Sequence, residues 1–89
     1  MENNICSLAS LRIGEVGELV KFEKEDKAFR RRMLDMGLTK GVKILVKQIS
    51  PLGDPISVLL RGYQLCLRKE DVTSILVRKE ESRWLELVL

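Results

Sequence analysis

The stretch GVKILVKQISPLGDPISVLLRGYQLCLR, residues 41–68, decides how the rest of the chain is read. Val42, Ile44 and Val46 alternate with Lys43, Leu45 and Lys47, the period of two that sends successive side chains to opposite faces of a strand. Ile56, Val58 and Leu60 alternate in the same way with Ser57, Leu59 and Arg61, and Gln64 to Arg68 returns with Leu65 and Leu67 on the inward register. Pro51-Leu52-Gly53-Asp54-Pro55 reads as a stiff turn flanked by prolines. Gly62-Tyr63 fits the centre of a two-residue hairpin turn with Gly in the first position. Connections this short leave no room for crossover helices, which excludes a parallel α/β sheet.

Upstream of this stretch the period changes to that of a helix. Asp26 is placed to cap its N-terminus, and Phe29, Met33 and Met36 fall on one stripe. Arg31 and Asp35 form an i,i+4 pair on the far side. Gly37 suits the left-handed position that ends a helix, with Leu38 folding back onto the last turn. Before the helix, Gly14 and Gly17 bracket the start of a strand from Glu18 to Phe22, in which Leu19 and Lys21 alternate with Glu18, Val20 and Phe22. Ser7 to Gly14 is a turn-rich lead with apolar residues three apart. Downstream, Glu70-Asp71-Val72 reads as one helical turn before a last strand, Ser74 to Arg78. The sum is a mainly β fold, a small and strongly bent β-barrel with one short α-helix after the first strand. An OB-like barrel is its nearest competitor.

With 89 residues there is room for one domain and one core. The chain has one Trp, one Tyr and two Phe, so that core must be built from Leu, Ile, Val and Met. A net charge of +3 is too low for a protein that binds through phosphate neutralisation, and no nucleic acid partner is expected. No apolar run is long enough to span a bilayer, and none of signal-peptide length separates Glu2 from Arg12, so the expected location is cytoplasmic. Cys6 and Cys66 lie far apart and there is no His, which argues against a disulfide, a zinc site or any other bound metal or cofactor. Cys66, between Leu65 and Leu67, is expected to be buried or half-buried. No nucleophile stands beside a base and no Gly-rich phosphate loop occurs, so the chain is not expected to be an enzyme.

Two groups of motifs carry a family resemblance. Arg31-Arg32-Met33-Leu34-Asp35-Met36-Gly37-Leu38-Thr39-Lys40-Gly41 resembles the basic, Leu/Met-rich helix closed by Gly-Leu that marks the FeoA family. Pro51 to Pro55, Arg61-Gly62-Tyr63, and Leu67-Arg68-Lys69-Glu70-Asp71-Val72 resemble that family's loop, hairpin and closing turn in the right order, and Leu8, Leu11, Gly14 and Gly17 fit its lead. The resemblance runs from about Leu8 to Arg78. It implies an SH3-like β-barrel, similar to the C-terminal domain of iron-dependent repressors, over residues 1–79. It also implies a partner, the cytoplasmic GTPase-containing region of the FeoB ferrous iron transporter. Residues 80–89 form an apolar C-terminal tail beyond the resemblance. Two rival functions are a metal-responsive regulatory module and a small nucleic-acid-binding barrel.

Several residues invite a sharper reading. The run Arg30-Arg31-Arg32 suggests phosphate binding, but consecutive helix residues point three ways, and a solvated face is preferred. Met33 and Met36 are placed in the core and not on a metal, and Asp54 is assigned to local backbone hydrogen bonds. Lys43, Lys47, Arg61 and Arg68 could share a basic face, or simply protect strand edges. Pro51, Leu52, Gly53, Asp54 and Pro55 are the candidate partner contact, with Leu52 at the tip. In the tail, Trp84, Leu85, Leu87, Val88 and Leu89 are candidates for self-association or packing on the chain's own fold. A strand reading leaves both faces of that tail apolar, and one sheet edge covers only one, which favours an intermolecular contact.

Overall fold

The computed structural model describes residues 5–80. The strands are β1 (Ile5–Ser7), β2 (Val16–Phe22), β3 (Lys43–Ile49), β4 (Ile56–Leu60), β5 (Tyr63–Leu67) and β6 (Ile75–Lys79). Helix α1 (Lys27–Asp35) joins β2 to β3, α2 (Lys69–Thr73) joins β5 to β6, and a 3-10 turn spans Leu8–Ser10.

All six strands pair antiparallel in one sheet, in the order β1-β6-β2-β3-β4-β5. This corrects the expected SH3-like β-barrel. The sheet is open, with β1 and β5 as its two edges and no ladder between them. Closure needs hydrogen bonds all the way round at a consistent stagger. Alternation along a strand fixes which face is buried and is silent on whether two edges meet. The first strand, β1, has three residues and ends where the turn-rich lead begins at Ser7, in a stretch where the sequence marks no strand, so the helix follows the second strand and not the first.

One face of the sheet carries the core. Leu19, Ile44, Val46, Val58, Leu60, Ile75 and Val77 are buried there, and Phe29 and Met33 of α1 join them, as the helical stripe requires. Met36 is only partly buried against this cluster. Gly17 sits inside β2 and does not mark its start: a β-carbon there would lie 2.6 Å from Val77 Cγ2 and 2.8 Å from Val77 Cβ. The two strands can approach this closely only because position 17 has no side chain.

Two β-bulges reset the alternation. Leu19 faces Val77, but Lys21 then faces Leu76 and Phe22 faces Ile75, so Val20 is an extra residue on β2. The bulge turns Phe22 to the same buried face as Leu19, where strict alternation opposed them. Lys47 is the extra residue of β3, between the pairs Val46–Val58 and Gln48–Ser57, and it returns Ile49 toward the core.

The helix stops as the sequence indicates. Asp26 Oδ1 accepts from the N–H groups of Ala28 (2.9 Å) and Phe29 (3.2 Å). At the other end Leu38 N–H donates to Met33 O and Gly37 N–H to Leu34 O, both at 3.0 Å, the bond pair of a Schellman motif. Gly37 has φ +94° and Leu38 is fully buried. The β4–β5 turn is shifted by one residue from its expected place. Leu60 pairs with Tyr63, so Arg61 (φ 48°) and Gly62 (φ 85°) are its central residues, both left-handed as in a type I′ turn. Tyr63 is thereby free to donate its hydroxyl to the Met36 carbonyl at the end of α1.

Candidate interaction surface

The loop between β3 and β4 is folded on itself and on α2. Gly53 N–H donates to Ser50 O at 2.7 Å, and Ser50 N–H to Pro55 O at 3.2 Å. Asp54 Oδ1 accepts from Lys69 N–H at 3.1 Å, which caps α2 from fifteen residues upstream. The helix's own N-cap residue, Arg68, makes no side-chain cap bond. Within Pro51 to Pro55, then, Asp54 is engaged with the body of the protein and Gly53 is half-buried, whereas Leu52 projects with 92% of its surface exposed.

The arginine run of α1 is tied down at two of its three positions. Arg32 pairs with Asp71 of α2 at 3.3 Å and lies over the Phe29 ring, 5.7 Å from its centre. Arg30 lies 5.8 Å over the Phe22 ring. The pair expected between Arg31 and Asp35 is not among the ion pairs of the described residues. Arg32 and Asp71 are far apart in the chain, and no local spacing announces their contact.

The other face of the sheet is mixed. Lys43 Nζ pairs with Glu80 at 2.6 Å, Lys47 Nζ donates to Gln64 at 3.3 Å, and Arg61 to Thr39 Oγ1 at 2.7 Å. The Glu80 carboxylate holds the Lys43 ammonium above the usual lysine range. Glu15 accepts from Lys79 Nζ at 2.8 Å and from Arg12 N–H at 2.7 Å, and these bonds, Lys79 first, hold its carboxyl below the usual range. Between the charges lies an apolar strip that alternation within single strands does not reveal. Val16, Leu45 and Leu59 stand in register on β2, β3 and β4, all half-buried. With Lys43, Leu60, Arg61 and Gly62 they line a shallow open groove. The signal is present in the sequence: Leu45 and Leu59 occupy the nominally polar positions of Lys43-Leu45-Lys47 and Ser57-Leu59-Arg61.

Both cysteines are free, and Cys66 is exposed, contrary to the buried or half-buried site expected for it. It lies on the outward register of an edge strand opposite Ser57, its Sγ 3.5 Å from Ser57 Oγ. Trp84, Leu85, Leu87, Val88 and Leu89 lie outside the described residues. Among the described residues no three or more His, Cys, Asp or Glu side chains are grouped to hold a metal ion, and no helix is long and apolar enough to cross a membrane.

These features define a small open-sheet domain with an exposed apolar loop tip and an apolar groove. The FeoA domain family matches residues 6–79, and the chain belongs to that family, whose members are accessory to ferrous iron transport. It is 37% identical over 68 residues to a Fe(2+) transport protein A/Fe(2+) transporter FeoB fusion protein of Porphyromonas gingivalis, a match covering 76% of this chain but 8% of that protein. The solution structure of a FeoA-like protein from Clostridium acetobutylicum superposes with a TM-score of 0.81 at 34% identity, covering 92% of this chain and 93% of that one. A manganese-dependent transcriptional repressor shares the fold alone, with a TM-score of 0.81 at 19% identity over 89% of this chain and 38% of its own.

Proposed function

We propose that this chain is an adaptor of ferrous iron uptake that binds the cytoplasmic, GTPase-containing region of a FeoB-type transporter and modulates its assembly or GTP-coupled transport. The observation that carries this reading is the relative in which a matching segment and a FeoB transporter are one polypeptide. Fusion holds two modules at a high effective concentration, which is useful when they work in contact. A location in the cytoplasm, at the membrane through its partner, belongs to the same reading. The contact we assign is the Pro51–Pro55 loop, because Leu52 is held out of the core at the tip of an internally bonded turn.

Titration calorimetry of the full chain against the purified cytoplasmic region of such a transporter tests both parts. Wild-type protein is expected to bind. Leu52→Asp is expected to weaken binding about tenfold or more, the scale of an apolar anchor lost from an interface, with the melting temperature nearly unchanged. No binding by the wild type overturns the function. Wild-type binding that Leu52→Asp leaves intact moves the contact off the loop.

A further inference from the structure

The net charge of the chain is concentrated in helix α1. It holds four of the chain's 16 basic residues and one of its 13 acidic residues, a net +3 that equals the net charge of the entire chain. The rest of the sequence is balanced. Within the helix the charge is also sorted by direction. At 100° per residue Lys27, Arg30, Arg31 and Leu34 fall within an arc of about 100°, and all four are exposed. Phe29 and Met33, on the opposite side, are buried in the core, and Arg32 is turned away to Asp71. Arg30 rests on the Phe22 ring, and none of Lys27, Arg30 and Arg31 is in an ion pair among the described residues. The acidic residues nearby lie off this face: Asp26 accepts from the first turn as its cap, Glu23 and Glu25 precede the helix, and Asp35 falls just beyond the arc. Leu34 stands in the middle of the three cations with 41% of its surface exposed.

We propose that this face of α1 lies on an anionic lipid surface, with Lys27, Arg30 and Arg31 at the level of the phosphates and Leu34 turned toward the acyl boundary. Charge complementarity selects a polyanion. Leu34 selects lipid among polyanions: at a membrane interface long basic side chains extend to the headgroups while an apolar neighbour enters below them. A nucleic acid backbone offers an isolated leucine no apolar surface, and a net charge of +3 is low for binding by phosphate neutralisation. Each Lys or Arg held at an anionic membrane is worth about fivefold in partition, so three cations give a weak and reversible contact. The contact requires no transporter and goes beyond the adaptor reading.

Co-sedimentation of the full chain with vesicles tests this, using phosphatidylcholine alone and phosphatidylcholine mixed in equal parts with phosphatidylglycerol. At low salt the protein is expected to partition onto the mixed vesicles and not onto phosphatidylcholine, and added salt should release it. The triple variant Lys27→Gln/Arg30→Gln/Arg31→Gln is expected to lose about 100-fold in partition, and Arg31→Gln alone about fivefold. The single variant keeps the test decisive if the triple one does not fold. Leu34→Ser is expected to lower partition onto the mixed vesicles and to leave retention on heparin unchanged. Three results each overturn the proposal: no partition of the wild type onto the mixed vesicles, folded charge variants that partition as the wild type does, or a single-stranded oligonucleotide that binds more tightly than the vesicles at equal phosphate and is indifferent to Leu34→Ser. The last assigns the basic face to nucleic acid.

Discussion

Two independent constraints meet at Gly37. Its φ of +94° is left-handed, and a β-carbon there would collide with the hydroxyl of Tyr63, which donates to the Met36 carbonyl. Gly37→Ala is expected to cost about 1–2 kcal/mol from the backbone alone, and more from the displaced hydroxyl. Tyr63→Phe removes that hydroxyl with its bond, at about 0.5–1.5 kcal/mol. The two changes therefore should not add: the double variant is expected to lose less than the sum, because the methyl group no longer has a hydroxyl to displace. Urea unfolding of the four proteins completes the cycle. Fully additive losses would show that the two residues do not compete for one space. Half of this arrangement is readable in the sequence. Gly37-Leu38 announces a helix stop because every group involved is local, whereas Tyr63 reaches it only because the hairpin turn falls on Arg61-Gly62.

At the scale of elements, the two helices differ in how they are started. In α1 the cap is its neighbour Asp26, but α2 takes its cap from Asp54 in another loop. Asp54→Ala is expected to cost about 0.5–2 kcal/mol, as does Asp26→Ala, but with a different footprint. Amide hydrogen exchange at Lys69 should accelerate in Asp54→Ala and stay unchanged in Asp26→Ala. Equal protection of Lys69 in both variants would remove Asp54 from its capping role. Legibility divides along the same line. The caps of α1, its buried stripe and the inward registers of β3 and β4 are all readable, because each rests on spacing within a few residues. The bulges at Val20 and Lys47 are not, since one extra residue in a strand looks like an imperfect alternation until the partner strand is seen. For the same reason strict alternation sets Phe22 on the wrong face. Of the candidate surface, the Pro51–Pro55 loop is visible as a turn, but the Val16–Leu45–Leu59 strip exists only once three strands are aligned.

For the molecule as a whole, the end of β6 is held by its backbone ladder to β2 and, beyond it, by two charge pairs. Lys79–Glu15 and Glu80–Lys43 join that end to the residue ahead of β2 and to the first residue of β3. The Glu15 carboxyl is shifted down, so its stabilisation is complete above the ordinary carboxylate value and is lost as pH falls through the lowered one. The Lys43 ammonium is shifted up, so its contribution is complete below the ordinary lysine value and is lost as pH rises through the raised one. Urea midpoints across pH are therefore expected to show a neutral plateau falling on both sides. Glu15→Gln should shallow the acid limb alone, and Lys43→Met the alkaline limb alone. Both pairs are partly exposed, so salt should weaken the effects. An acid limb identical in wild type and Glu15→Gln would exclude the Glu15 pair as its source.

The same strand order has a genetic consequence. Ile5 pairs with Arg78, so the first and last strands of the described domain lie side by side although they are opposite ends of its sequence. Neighbouring strands are about 5 Å apart, a gap that a loop of almost any host protein already spans. A gene segment encoding this domain can thus be spliced into another reading frame, in tandem or within a surface loop, without displacing a strand of either product. For a unit of this size, modular reuse is written into the adjacency of its two ends.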